Sequence, residues 1–355
     1  MKLEHLDFDL PDRAVAQRPA ERREDARLLV VDPESPVFEH RRMFEWPALV
    51  PEGALVVLND TSVVRARLLG TKERSGGKAE LLLVDRREPT EGPVEAWRAI
   101  GKGLRNLSGE TLAFGEGKLT ATVEKASDVV GLFDVVLRAR EGTVGEAIAA
   151  HGHVPIPPYI RRAADRGDES RYQTVYARAP GAIAAPTAGL HLTRALLDEI
   201  ERRGARVAFL TLHVGLGTFQ PVAVDDLDQH PMHAEWMDVT PSLAAEIAAA
   251  RARSAPVVAV GTTVVRALES AADPAHHGLV VAQRGETRIL IQPGYAFRVV
   301  DALLTNFHLP RSTLLALVAA FAGRERVLAA YGEALTNGYR FYSYGDAMWI
   351  RSRAS

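Results

Sequence analysis

The apolar residues fall into two textures along the chain. Between residues 63 and 141 they come as short runs separated by turn residues: ARLLG at 66–70, AELLLVD at 79–85, VEAWRAI at 94–100, ETLAF at 110–114, KLTATVE at 118–124 and GLFDVVLR at 131–138. No helix-length pattern interrupts them, and Gly115-Glu116-Gly117 is a hairpin turn between the fourth and the fifth. Six short strands at this spacing predict a small barrel or sandwich.

After Gly142 the spacing becomes helical. Thr143 starts one helix. Thr193 caps RALLDEIERRG, whose apolar residues at 196, 197 and 200 share a face, with Gly204 as the stop. Pro241 opens SLAAEIAAARAR, TTVVRALESA follows a Gly, and Ser312 caps a further helix. Between them lie apolar strands at 205–214, 256–261 and 287–294. Alternating strands and helices predict an α/β domain with a mostly parallel sheet. The buried-looking ALVVLNDT at 54–61 belongs to that sheet. The economical organisation is one α/β domain, residues 1–62 and 142–355, interrupted by a β domain inserted at 63–141.

Composition then narrows the chemistry. At ~150 residues per domain, 355 residues predict about two domains. Cysteine is absent, which excludes disulfides, thiol nucleophiles and cysteine-held zinc or iron–sulfur centres. The net charge of -2 and pI of about 6.6 give no global signature of nucleic-acid binding, so any grip on a polyanion must be local. The first residues, MKLEHLDFDLPDR, do not read as a signal peptide. The most apolar helix, Leu314 to Ala322, is far below the ~20 residues a membrane span needs. A cytoplasmic protein without membrane contact is expected.

The loops after the strands carry the candidate chemistry. APTAGLHLT at 185–193 enters a helix and can turn backbone N–H groups toward an anion. TLHVGLGTFQPV at 211–222 has Gly215 and Gly217 but Gln220 where a dinucleotide-binding loop needs its third glycine, and the Walker phosphate loop is absent. Thr262 and Thr263 in VGTTVVRALES can cap a helix or hold a hydroxyl-rich ligand. His230, His233 and Glu235 form H-x-x-H-x-E, and His151 and His153 form H-x-H. Imidazoles suit zinc, iron or nickel, which leaves a metal-dependent hydrolase as a rival reading, although H-E-x-x-H spacing is missing.

The strings LVVLNDTSVVRARLLG, VPIPPYIRR, AAPTAGLHLT, LTLHVGLGTFQPV, MHAEW, AVGTTVVRALES, ILIQPGYAFRVVDALLTNFHLPRSTLLALVAAFAG and YRFYSYGDAMWI closely resemble the S-adenosylmethionine:tRNA ribosyltransferase-isomerases of queuosine biosynthesis. The likeness runs from about residue 8 to Ile350. It implies an α/β domain resembling an open barrel, interrupted by an inserted six-stranded β-barrel. It also implies the reaction: the ribosyl group of S-adenosylmethionine is transferred to 7-aminomethyl-7-deazaguanine at the tRNA wobble position and isomerised. The products are epoxyqueuosine-tRNA, adenine and methionine. S-Adenosylmethionine is then a consumed co-substrate, with no metal, no other cofactor and a monomeric enzyme expected.

That chemistry assigns candidate roles. A base must take a proton from the carbon beside the sulfonium, and an acid must help adenine leave. His213 and Glu235 are candidates for the base, Asp301 and Asp60 for the acid. Phe219, Tyr295 and Phe297 are candidates for stacking on adenine or facing the sulfonium. Thr187, Gly189 and His191, with Gly215, Gly217, Thr262 and Thr263, are expected to hold the donor. For tRNA, Arg161 and Arg162 head a basic stretch continued by Arg166 and Arg171, and Lys72, Arg74 and Lys78 offer a second patch.

Overall fold

The computed structural model describes residues 1–87, 91–102, 109–126, 132–162, 164–215, 217 and 222–353. They form two compact units. One comprises Met1–Ser62, Pro158–Arg162 and Arg171–Ser355, the other Val63–Pro157 and Ala163–Ser170.

The strands are β1 (Arg27–Val31), β2 (Phe38–Arg42), β3 (Leu55–Asn59), β4 (Thr61–Val63), β5 (Arg67–Lys72), β6 (Lys78–Arg86), β7 (Val94–Lys102), β8 (Thr111–Phe114), β9 (Leu119–Ala126), β10 (Leu132–Ala139), β11 (Ala179–Ala182), β12 (Arg206–Leu212), β13 (Glu235–Val239), β14 (Val257–Val260), β15 (Gln283–Thr287), β16 (Ala302–Asn306) and β17 (Ala347–Ile350). The helices are α1 (Val144–His151), α2 (Arg166–Arg171), α3 (Arg194–Arg202), α4 (Pro241–Ala252), α5 (Thr262–Ser270), α6 (Thr313–Ala322) and α7 (Arg324–Thr336).

In the smaller unit the six expected strands close into a barrel in the order β10-β7-β6-β5-β8-β9. Alternation explains the closure: Ala79, Leu81 and Leu83 of β6 point inward with Leu112 and Phe114 of β8 and Leu119, Ala121 and Val123 of β9. Gly115, Glu116 and Gly117 all have positive φ, the left-handed conformation the tight hairpin requires. This unit extends beyond residue 141 to Pro157, because α1 packs on β9 and β10. Thr143 caps α1: its hydroxyl accepts from Glu146 N (3.2 Å), and the Glu146 carboxylate accepts from Thr143 N (2.8 Å).

The larger unit holds a nine-stranded sheet in the order β15-β13-β12-β3-β14-β16-β17-β1-β2. Its centre, β12-β3-β14-β16, is parallel, as is β17 with β1, and the remaining pairings are antiparallel. The sheet is therefore mixed rather than mostly parallel. Of the strand expected at 287–294 only Thr287 lies in a strand, as the last residue of β15. β3, β14 and β16 are buried along their whole length, so they are apolar up to the polar residues Asn59, Thr305 and Asn306 at their carboxyl ends. Leu55, Val57, Ala259, Leu303 and Met348 face a core shared with α4 to α7, whereas Val56, Leu58, Val258, Leu304 and Trp349 face Trp46 and α3.

Two histidines of this unit are buried without a counter-charge at hydrogen-bond distance. His308 Nε2 meets Thr305 Oγ1 at 2.8 Å, and His191 Nε2 accepts from Asn306 Nδ2 at 3.2 Å. Burial pushes each down to about 4, and both rings are neutral at pH 7.

The packing sets two expectations. A Cβ at Gly70 would lie 2.0 Å from Ala113 O on the adjoining barrel strand. Gly70→Ala is therefore expected to cost about 2 kcal/mol by overpacking, read as a lower midpoint in chemical denaturation. The histidines take up protons on unfolding, because their folded pKa lies below the unfolded value. Their stabilisation is complete above about pH 6.5 and is lost as pH falls toward 4. Between pH 7 and pH 5 the wild type should lose about 2 kcal/mol more than His308→Asn. Equal losses would show that His308 titrates normally in the folded chain.

Candidate functional site

The parallel strands β12, β3, β14 and β16 all end on one side of the sheet, and a cavity of about 480 Å³ opens there. Its first wall is the β14–α5 turn. Gly261, at φ +94°, reverses the chain and donates its N–H to Leu304 O at 2.8 Å. Thr262 and Thr263 follow on the cavity wall, and Arg266 lies one turn further along α5. Glycine holds the cap position of α5, so neither threonine caps the helix by its side chain. Thr263 Oγ1 instead accepts from Asn59 Nδ2 at 3.2 Å.

The second wall comes from the β12–β13 connection: Val214, Gly217, His230, His233 and Glu235. Gly217 is a close approach, since a Cβ there would lie 2.9 Å from the His233 ring. Glu235 is buried. Its Oε1 accepts from Gly215 N at 3.2 Å, and Oε2 is ion-paired with Arg266. Partial burial lowers the pKa of His230 and the charge of His233 lowers it further, which keeps the His230 ring neutral near pH 7. Although these residues share a wall, no group of three or more His, Asp or Glu able to hold a metal ion occurs among the described residues.

The third wall is Ala184 to Ala188, with Thr187 opening a 3-10 turn. The fourth is Asn306 at the end of β16 with His308 and Arg311 beyond it. An aromatic side completes it. Tyr159 stacks on Tyr342 with centroids 4.3 Å apart, and the Tyr159 and Ser343 hydroxyls are 2.6 Å apart. Desolvation raises the Tyr159 pKa to about 12, so the phenol stays protonated.

Thus Thr187, Gly217, Glu235, Thr262 and Thr263 are brought together, with Gly215 tied to Glu235. Other candidates lie elsewhere. His213 does not line the cavity. Its ring stacks on Trp236 (4.9 Å), Nδ1 meets Thr61 Oγ1 at 2.8 Å, and its Nε2 edge lies against Gly181. Burial lowers its pKa, partly opposed by Asp60. Asp60 accepts from Arg178 (2.9 Å) and Thr211 Oγ1 (2.6 Å).

Asp301 sits at the opposite, amino-terminal end of the strands, where it accepts from Val257 N (2.8 Å) and pairs with Arg251 (2.5 Å) and Arg353 (3.4 Å). Tyr295 donates to Glu269 at 3.3 Å, and Phe297 packs edge-on against Tyr295 and Phe321. Gly189 is a packing glycine, because a Cβ would lie 2.0 Å from the Tyr176 hydroxyl. His191 reaches the site only through Asn306. Phe219 lies outside the described residues. Arg161 is exposed but forms a two-bond ion pair with Asp12 (2.8 and 2.9 Å), while Arg162 Nε donates to Gln17 O at 2.9 Å. The charge of this patch is thereby partly offset.

Sequence reasoning gave no role to Arg266, Asn306, His308 or Tyr159. The only available signal was that NFHLP and SYGD are polar or glycine-bearing strings beside strands.

This architecture has known counterparts. The queuosine biosynthesis protein family matches residues 3–350. The S-adenosylmethionine:tRNA ribosyltransferase-isomerase of Sorangium cellulosum (strain So ce56) is 55% identical, with 99% of each chain covered. That of Anaeromyxobacter dehalogenans (strain 2CP-C) is 51% identical over 99% of this chain and 100% of its own. The crystal structure of the S-adenosylmethionine tRNA ribosyltransferase from Thermotoga maritima superposes with a TM-score of 0.54 at 31% identity, covering 98% of this chain and 99% of that one. Likeness of this extent spans the sheet, the inserted barrel and every wall of the cavity, and it places the chain in the S-adenosylmethionine:tRNA ribosyltransferase-isomerase family of queuosine biosynthesis.

Proposed function

We propose that this chain transfers the ribosyl group of S-adenosylmethionine to 7-aminomethyl-7-deazaguanine at the tRNA wobble position and isomerises it, releasing adenine and methionine. One observation of the fold carries the reading. Four separate chain segments meet at the carboxyl ends of parallel strands around a cavity of about 480 Å³, the size and place typical of a site for a nucleoside-sized ligand. Family membership supplies the identity of that ligand.

The cavity suits the chemistry. Proton abstraction beside a sulfonium needs an unprotonated base in a water-poor pocket. His230 meets that need better than the two bases expected from sequence, since His213 is outside the cavity and both oxygens of Glu235 are engaged. The Thr262 and Thr263 hydroxyls and the 3-10 turn at Thr187 suit ribose hydroxyls or a carboxylate. The donor is consumed, so no resident cofactor is needed, and the cysteine-free chain supports a polar two-electron course. Among the described residues no helix is long and apolar enough to cross a membrane, and a tRNA-modifying enzyme belongs in the cytoplasm.

Incubation with S-adenosylmethionine and tRNA bearing the precursor base should release adenine in equal amount to modified tRNA, measured by chromatography. His230→Ala should lower turnover by ~10²-fold or more with tRNA affinity little changed. No adenine release by the wild type would overturn the reading.

A further inference from the structure

Among the described residues, seven buried side-chain nitrogen or oxygen atoms have no hydrogen-bond partner. Two belong to residues that line the cavity: Arg266 Nη2 and Asn306 Oδ1. They differ in kind. Asn306 Nδ2 is fixed by Tyr342 O at 3.0 Å, a carbonyl that only a donor can satisfy. The open atom of Asn306 is thus an acceptor and repels anions. Arg266 Nη2 is a donor on a cation.

Arg266 is 7% exposed. Its Nε donates to Ile289 O at 3.3 Å, and Nη1 is held by Glu235 Oε2. The guanidinium is therefore oriented through two of its three nitrogens, and the third is left bare. A buried charged donor without an acceptor is costly, and a ligand atom that supplies the acceptor recovers that cost on binding.

Thr262 and Thr263 precede Arg266 by four and three residues on α5, hence on the same helix face. At the amino end of α5 Val264 N donates to Gly261 O at 3.1 Å, which leaves the N–H groups of Thr262 and Thr263 at the positive end of the helix. A guanidinium N–H, helix-terminal N–H groups and two hydroxyls on one wall make a receptor for a compact anion. Because Glu235 already offsets the charge of Arg266, the receptor suits a single negative charge. A polynucleotide phosphate would have to bring its flanking sugars into a cavity of about 480 Å³, which a terminal carboxylate does not.

Resting on the S-adenosylmethionine reading above, we propose that Arg266 Nη2 binds the methionine carboxylate of the donor, with Glu235 as a positioning residue that locks the guanidinium. The carbon beside the sulfonium is then held several bonds away from the carboxylate that Arg266 binds, and Glu235 orients a binding group rather than removing a proton.

Calorimetric titration of the full chain with S-adenosylmethionine and with its decarboxylated analogue tests this without tRNA. The wild type should bind S-adenosylmethionine about 30-fold more tightly than the analogue, the scale of one hydrogen bond to a charged group. Arg266→Gln should erase that preference, weakening S-adenosylmethionine about 30-fold and the analogue less than about 3-fold. Glu235→Gln should weaken S-adenosylmethionine selectively by a smaller factor, a discrimination that a merely structural carboxylate would not produce.

Equal wild-type affinity for the two ligands overturns the proposal and leaves the function intact. It does so even if Arg266→Gln fails to fold with Glu235 unpaired. Equal weakening of both ligands by a folded Arg266→Gln also overturns it. Failure of the wild type to bind either ligand overturns the donor reading and this proposal together.

Discussion

The cavity depends on one side chain that does not line it. Asn59, fully buried at the end of β3, uses all four hydrogen-bonding positions of its carboxamide. Oδ1 accepts from Thr61 N at 3.1 Å and Leu212 N at 3.0 Å, and Nδ2 donates to Leu212 O at 2.9 Å and Thr263 Oγ1 at 3.2 Å. The side chain thereby joins the ends of β3 and β12 to the first turn of α5. Aspartate has the size but no donors, and an apolar residue would orphan two backbone groups on β12. An amide is what lets three elements meet at one point with nothing left unpaired.

The two ends of the parallel strands are built for different tasks. At the amino-terminal end Asp301 is saturated by two arginines and a backbone N–H, and nearby Glu269 accepts from Arg298 N, Val299 N and Val300 N. Every acceptor there is met, which is the signature of scaffold. At the carboxyl-terminal end a donor and an acceptor stand open, two histidines are neutral, and an ion pair is buried.

This difference explains what the chain's pattern reveals. The barrel strands were legible because period-two alternation and a glycine turn are local properties. So were the starts of α1, α3, α4 and α6, where Thr143, Thr193, Thr240 and Ser312 hydroxyls accept first-turn N–H groups. By contrast, β1, β16 and β17 are buried on both faces and alternate nowhere, so their pairing is invisible in sequence. That Thr187, Gly217 and Thr262 line one cavity was recoverable because loops after parallel strands gather at one end of the sheet. Asp301 and His213 look no different in sequence from cavity residues, since a string of letters does not say which end or side of a sheet a side chain occupies. Arg266 reads as an ordinary helix arginine until its partners are counted.

The order of the sheet also governs when it can be completed. β17 lies between β16 and β1, so the neighbour of the first strand is made some three hundred residues after it. On the ribosome, β1 and β2 can form only a two-stranded hairpin, which is marginal in water, and they must wait with one edge unpaired until residues 347–350 emerge. The barrel strands are consecutive, from Arg67 to Ala139, and can close long before. Synthesis thus presents an early, self-contained β-barrel and a late-closing sheet whose exposed edge is the place where a nascent chain is open to wrong pairing.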